Sequence, residues 1–126
     1  NAFPGGSFLQ RLNLKNNRLE FLDEGCTSSL TSLETLILTR NFLSSFPKGL
    51  FTQMKSLIEL EVNKNKFVEI QGLTFHGLEN LKVLRLKRNQ IEFLMDGAFF
   101  GLTNIEEISL DRNKINIVKK GWLYGL

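Results

Sequence analysis

The chain carries few residues able to do covalent chemistry. Its 126 residues include one histidine, His76, and one cysteine, Cys26. A hydrolytic or group-transfer site needs a nucleophile, a base and an orienting group converging on one point. No second histidine exists to complete such a set. A lone thiol allows neither an internal disulfide nor a metal cluster of the Cys-x-x-Cys kind. Cys26 has no basic neighbour to lower its pKa and reads as an inert, buried thiol. His76 reads as a surface residue. The acidic pairs Glu59/Glu61 and Glu106/Glu107 each turn at least one carboxylate to solvent, with no partner arranged for proton transfer. Gly5-Gly6 is not followed by the Gly-Lys-Ser/Thr of a phosphate loop. No catalytic residue, metal ligand or cofactor is expected.

Charge is more regular. Residues 16, 40, 64, 88 and 112 are Asn16, Arg40, Lys64, Arg88 and Arg112, and each immediately precedes an asparagine. One place after that asparagine come Arg18, Phe42, Lys66, Gln90 and Lys114. The two columns form a basic stripe, which reads either as a solvated polar edge or as a site for an acidic partner. The net charge is only +3, from 16 basic and 13 acidic residues, so any such site is local. Glu59, Glu61, Glu107 and Asp111 interrupt the same surface, which argues against nucleic acid.

The asparagines belong to a frame that organises the whole chain. Leu9, Leu12, Leu14, Asn17, Leu19 and Leu22 return 24 residues later as Leu33, Leu36, Leu38, Asn41, Leu43 and Phe46. The same offsets then give Leu57, Leu60, Val62, Asn65, Phe67 and Ile70, followed by Leu81, Leu84, Leu86, Asn89, Ile91 and Leu94. Ile105, Ile108, Leu110, Asn113, Ile115 and Val118 complete the set. Every framework position that is not asparagine is apolar, although only 42% of the chain is hydrophobic. A second set of columns follows each asparagine. One holds Phe51, Phe75 and Phe99, with Thr27 and Leu123 in register and Phe3 one period earlier. Another holds Gly25, Gly49, Gly97 and Gly121, broken by Leu73.

Physical chemistry assigns a place to each column. Apolar residues alternating as in Leu12-x-Leu14 suit a short strand with one buried face. Leu12 and Leu14 then point inward, and Arg11, Asn13 and Lys15 outward. Strands at 12–14, 36–38, 60–62, 84–86 and 108–110 would lie parallel at about 4.8 Å spacing. Each of Asn17, Asn41, Asn65, Asn89 and Asn113 can donate and accept, so the five form a structural ladder satisfying backbone groups at the turn that ends each strand. Phenylalanine fills the outer edge of each coil with no polar atom to satisfy. Glycine marks a turn or a close backbone approach.

The pattern L-x-x-L-x-L-x-x-N-x-L at this period resembles the leucine-rich repeat family. The resemblance implies an α/β solenoid, a horseshoe segment with five parallel strands on the concave face and a mostly irregular or short-helical convex side. Residues 1–8 read as the tail of a truncated repeat. Full repeats occupy 9–32, 33–56, 57–80 and 81–104, and a truncated fifth occupies 105–126. Neither end carries a polar or cysteine-bearing cap, so the chain is expected to be part of something longer and weakly stable alone. Function belongs on the outward strand face and its edge, the one surface free of framework duty. The candidate binding residues there are Lys15, Arg40, Glu61, Lys64, Arg85, Lys87, Arg88 and Arg112.

Residues 66–126 carry a narrower likeness. Gly72-Leu73-Thr74-Phe75-His76-Gly77-Leu78, Met95-Asp96-Gly97-Ala98-Phe99-Phe100-Gly101-Leu102 and Lys120-Gly121-Trp122-Leu123-Tyr124-Gly125-Leu126 stand in register. These motifs resemble successive repeats of the Lrig family, the leucine-rich repeats and immunoglobulin-like domains proteins. That resemblance implies a non-catalytic interaction segment in the ectodomain of a single-pass membrane regulator of growth-factor receptor signalling. Its partner would be a protein, such as a receptor tyrosine kinase ectodomain, met at the extracellular face of the plasma membrane. The alternative is an innate-immune or extracellular-matrix leucine-rich repeat protein that recognises a polyanion through the basic stripe.

Overall fold

The computed structural model describes residues 6–115. Phe3, Val118 and the closing motif with Gly121, Trp122, Leu123 and Leu126 lie outside the described residues.

Every 24 residues the chain enters a three-residue strand. β1 is Arg11–Asn13, β2 is Thr35–Ile37 and β3 is Glu59–Glu61. The two-residue β4, Glu69–Ile70, precedes β5, Val83–Arg85. The two-residue β6, Phe93–Leu94, precedes β7, Glu107–Ser109. One parallel sheet runs in the order β1-β2-β3-β5-β7. Leu12 lies beside Leu36, Leu60 beside Leu84, and Leu84 beside Ile108, so the register never slips. Each strand begins and ends one residue earlier than the alternation alone suggests. Hydrogen bonding continues past the strand ends, because Leu38 N–H donates to Glu61 O and Val62 N–H to Arg85 O, both at 2.8 Å.

Parallel strands this short stay paired because the groups behind them leave water completely. Leu36, Leu60 and Leu84 are buried, as are Leu38, Val62 and Leu86 one pleat further on. The phenylalanine column stacks on the return side. Ring centroids of Phe51 and Phe75 lie 6.0 Å apart, and those of Phe75 and Phe99 6.3 Å apart. Phe46 meets Phe51 edge-on at 5.1 Å and joins this stack to the strand-side core. Thr27 breaks the column but remains buried, because its hydroxyl donates to Leu50 O at 2.6 Å. A polar residue fits where that one bond closes its account with the neighbouring repeat.

The return segments are tight turns, each built from i→i−3 hydrogen bonds at alternate residues. Leu50 N–H donates to Pro47 O, Thr52 to Gly49 O and Met54 to Phe51 O, and the same triplet recurs at Ala98, Phe100 and Leu102. A four-residue 3-10 turn, Glu24–Thr27, is the first of them. The later turns use a left-handed residue, with φ of 84° at Gly49 and 77° at Gly97, whereas Gly25 in the first turn does not. Leu73 adopts φ 63° at the same point of its repeat and is over a third exposed. A branched side chain there costs roughly 1–2 kcal/mol against glycine. Leu73→Gly is therefore expected to raise stability by about 1 kcal/mol after the added freedom of the unfolded chain is counted. Denaturant melts of the two full chains measure this.

The small second sheet, β4 beside β6, is not expected from the repeat pattern. Glu69 pairs with Phe93 and Ile70 with Leu94, and Met95 N–H donates to Ile70 O at 2.9 Å. Pro47 stands two periods before Met95 and has no N–H to give, so the bond cannot recur there.

Candidate functional site

The asparagine ladder sets the geometry of the rim. Asn65 Nδ2 donates to Leu38 O at 3.0 Å, Asn63 O at 3.1 Å and Val62 O at 3.3 Å, while its Oδ1 accepts from Leu43 N–H at 3.0 Å. Asn41, Asn89 and Asn113 repeat the arrangement, each bonding a carbonyl 27 residues back and a backbone N–H 22 residues back. Asn17 is exposed and bonds only Leu14 O and Lys15 O of its own repeat. One amide thus ties each strand exit to the repeat before it.

The residue before each asparagine is left-handed, at φ 61° for Asn16, 60° for Arg40, 55° for Lys64, 56° for Arg88 and 62° for Arg112. This conformation turns its N–H toward the next repeat. Arg40 N–H donates to Asn63 O at 3.0 Å and Lys64 N–H to Lys87 O at 2.9 Å. Glycine and asparagine take this conformation most readily, yet four of the five positions hold arginine or lysine. Periodicity marks the column as polar but gives no sign of its backbone, since Arg and Lys have no preference for positive φ.

The eight candidate residues separate into two groups. Glu61, Arg85 and Lys87 lie on the strand face, inside a network of their own. Arg85 Nη1 meets Glu107 Oε2 at 2.9 Å and its Nε lies 3.6 Å from Glu59 Oε2. Ser109 Oγ donates to the same Glu107 oxygen, Lys87 Nζ lies 3.6 Å from Asp111, and Thr39 Oγ1 donates to Glu61 at 2.7 Å. This face is charged yet internally balanced.

Arg40, Lys64 and Arg88 gather instead on the rim, in an open groove of about 530 Å³ lined also by Asn16, Asn41, Phe42 and Lys66. Among the described residues none of these three cations forms an ion pair. Their nearness to one another shows in Lys64, whose ammonium is held below the usual lysine range. Arg40 is the main cause, followed by partial desolvation and then by Arg88 and Lys15. Lys15 thus reaches the group electrostatically, and Arg112 continues the column beyond the groove. Phe42, the one apolar residue in its column, is 47% exposed beside them. No repeat rule predicts an aromatic ring there.

The residues weighed for chemistry remain scattered. His76 is exposed at the outer turn. Cys26 is half-buried, and desolvation, with the Asp23 charge second, pushes its thiol above the usual range. Among the described residues no group of three His, Cys, Asp or Glu is placed to hold a metal ion. No helix of the described residues is long and apolar enough to cross a membrane.

The leucine rich repeat family model matches residues 1–41, 31–91, 56–115 and 79–126, and the chain belongs to that family. The leucine-rich repeat is a protein-interaction fold without catalytic apparatus of its own. No curated protein matches the chain by sequence. Solved structures similar to it include the TLR13–ssRNA13 complex, at 26% identity and TM-score 0.84 over 92% of this chain and 16% of that one. The Drosophila Toll–Spatzle complex is similar at 28% identity and TM-score 0.79, over 84% and 14%. The octameric complex of Latrophilin 3, Unc5D and FLRT2, with FLRT2 supplying the leucine-rich repeats, is similar at 26% identity and TM-score 0.83, over 95% and 38%. The chain therefore spans well under half of each of these neighbours.

Proposed function

We propose that the chain is a protein-recognition segment from the ectodomain of an Lrig-like, membrane-anchored regulator of growth-factor receptor signalling, made of the repeats 9–32, 33–56, 57–80 and 81–104 and part of a fifth at 105–126. The observation that carries the reading is the strand face over β3, β5 and β7. There Arg85 is fixed between Glu59 and Glu107, and Lys87 is steered by Asp111. Charges held in place before binding lose less freedom on contact and set orientation through complementarity. A protein surface with matching polar groups fits such a lattice. The in-register motifs of residues 66–126 and the protein partners named for Toll and FLRT2 support an extracellular, protein-binding setting.

The parent transcript tests the assignment directly. Past Leu126 it is expected to encode further repeats, then immunoglobulin-like domains and one membrane span. A parent lacking the immunoglobulin-like domains overturns the Lrig-like reading. For the surface itself, Arg85→Glu in the full chain is expected to weaken binding to a responsive receptor tyrosine kinase ectodomain at least tenfold. Unchanged binding, read by surface plasmon resonance, removes the strand face from the proposal.

A further inference from the structure

Three cations elsewhere have carboxylate partners, with Arg85 between Glu59 and Glu107, Lys87 beside Asp111 and Lys55 beside Glu79. Among the described residues Arg40, Lys64 and Arg88 have no such partner, and unlike other unpaired cations they stand together. Arg40, Lys64 and Arg88 occupy the same position in three successive repeats and share one groove. Parallel strands set neighbouring backbones about 4.8 Å apart, so the three cations form a short, straight row. All three backbones are left-handed, where asparagine, present at Asn16, would sit with less strain. The local backbone therefore does not account for the choice of residue. Nor does stability of the free protein, because the three charges repel one another and hold the Lys64 ammonium below its usual range. A row of unpaired, mutually repelling cations is stabilised by a ligand that supplies a matching row of negative charge.

We infer that the groove formed by Arg40, Lys64 and Arg88, with Phe42 at its side, is a binding site for a linear sulfated polysaccharide. A thin anionic chain can follow the rim, meeting one cation per repeat, without crossing onto the strand face with Glu59, Glu61, Glu107 and Asp111. A nucleic-acid duplex is too broad to avoid those carboxylates. Single-stranded nucleic acid is held by successive aromatic platforms, and this groove offers one ring, Phe42. That ring suits the apolar C–H face of a sugar. Lys66 widens the positive field on the same side. The inference rests on the rim alone and holds whichever ectodomain the chain comes from, so its failure leaves the strand-face reading standing.

The test titrates the full chain with a size-defined heparin oligosaccharide, with its desulfated counterpart and with poly(U) of equal charge number. The key variant is the triple Arg40→Asn, Lys64→Asn, Arg88→Asn, whose asparagines suit the left-handed backbone and so preserve the fold, as circular dichroism will verify. Lys48→Asn, Lys55→Asn and Lys82→Asn together serve as a control of equal charge loss away from the groove. Heparin is expected to bind the parent chain with strong salt dependence and to protect Lys64 from an amine-reactive reagent. In the triple variant the affinity falls roughly tenfold or more and the slope of log Kd against log salt shrinks by about two. The control variant and the parent bind alike. Heparin affinity unchanged in the triple variant, no loss on desulfation, or an equal loss in the control overturns the inference. Poly(U) binding as tightly as heparin also overturns it and makes the groove a nucleic-acid site.

Discussion

Asn65→Ala will remove roughly 3 kcal/mol or more of stability, a large fraction of the about 5–15 kcal/mol that holds a typical domain. The side chain is 3% exposed and satisfies four backbone groups at once. Truncation leaves the carbonyls of Leu38, Val62 and Asn63 and the N–H of Leu43 without that partner, in a space too well packed to admit water freely. Unmade bonds of this kind cost about 1–3 kcal/mol each when buried, less where a second partner remains. Asn17→Ala provides the comparison, since Asn17 is exposed and bonds only within its own repeat. Its loss should cost less than about 1 kcal/mol. Equal losses for the two variants, measured by urea melts, would show that asparagine acts through local turn preference rather than as a tie between repeats. Asn65→Asp adds a check of sign. A carboxylate facing three carbonyl oxygens is disfavoured, so its native pKa rises above the unfolded value. The native state then binds more protons across that interval, and stability must fall as pH climbs from the ordinary aspartate range toward the raised native value.

The second large loss is expected from adding one methyl group. At Gly77, φ is 105°, and a Cβ would stand 2.6 Å from Thr52 Cα and 2.9 Å from Phe51 O. Both obstacles are backbone of the preceding repeat and cannot swing aside as a side chain would. Relief requires the two coils to move apart, which separates the stacked rings of Phe51 and Phe75. Gly77→Ala is expected to cost about 3 kcal/mol or more, combining strain with lost packing. Each repeat is held chiefly by its neighbours, so the damage should divide the molecule. Hydrogen exchange should show residues before and after Thr52 losing protection in separate steps. Gly25→Ala, with nothing within 4 Å of the added carbon, should be close to neutral. A mild effect at Gly77 would mean that the repeats pack more loosely than the ring stack implies.

The columns visible in the sequence are those where water exclusion imposes one answer on every coil. Leu36, Leu60 and Leu84 can be buried in only one register, so β2, β3 and β5 follow from spacing alone. The ladder is legible for a related reason: few side chains both donate and accept at that turn. Features set by one residue's exception are not legible. Pro47 withholds an N–H, so the bond that Met95 makes to Ile70 O has no counterpart there. Leu73 takes a glycine's conformation because the surrounding turn, with Leu73 N–H bonded to Gly97 O at 2.9 Å, holds it there. For the candidate surface, the row of rim cations shows in the sequence, but its isolation from carboxylates does not. Glu59, Glu61 and Glu107 lie close in sequence pattern to the basic columns, and only the fold turns them toward Arg85 and Thr39. Phe42 carries no periodic signal at all.

The ladder also has a direction. Every buried asparagine reaches back to the coil before it, so the amide of Asn65 fastens turns that belong to residues 38 and 43. Each added coil therefore completes its predecessor, much as a course of roof tiles covers the nails of the one below. A strand of this protein emerging from a ribosome would lock one course at a time, always one behind the growing tip. Pulled from its C-terminal side, it would shed the covering tiles in reverse, freeing about 80 Å of chain with each coil.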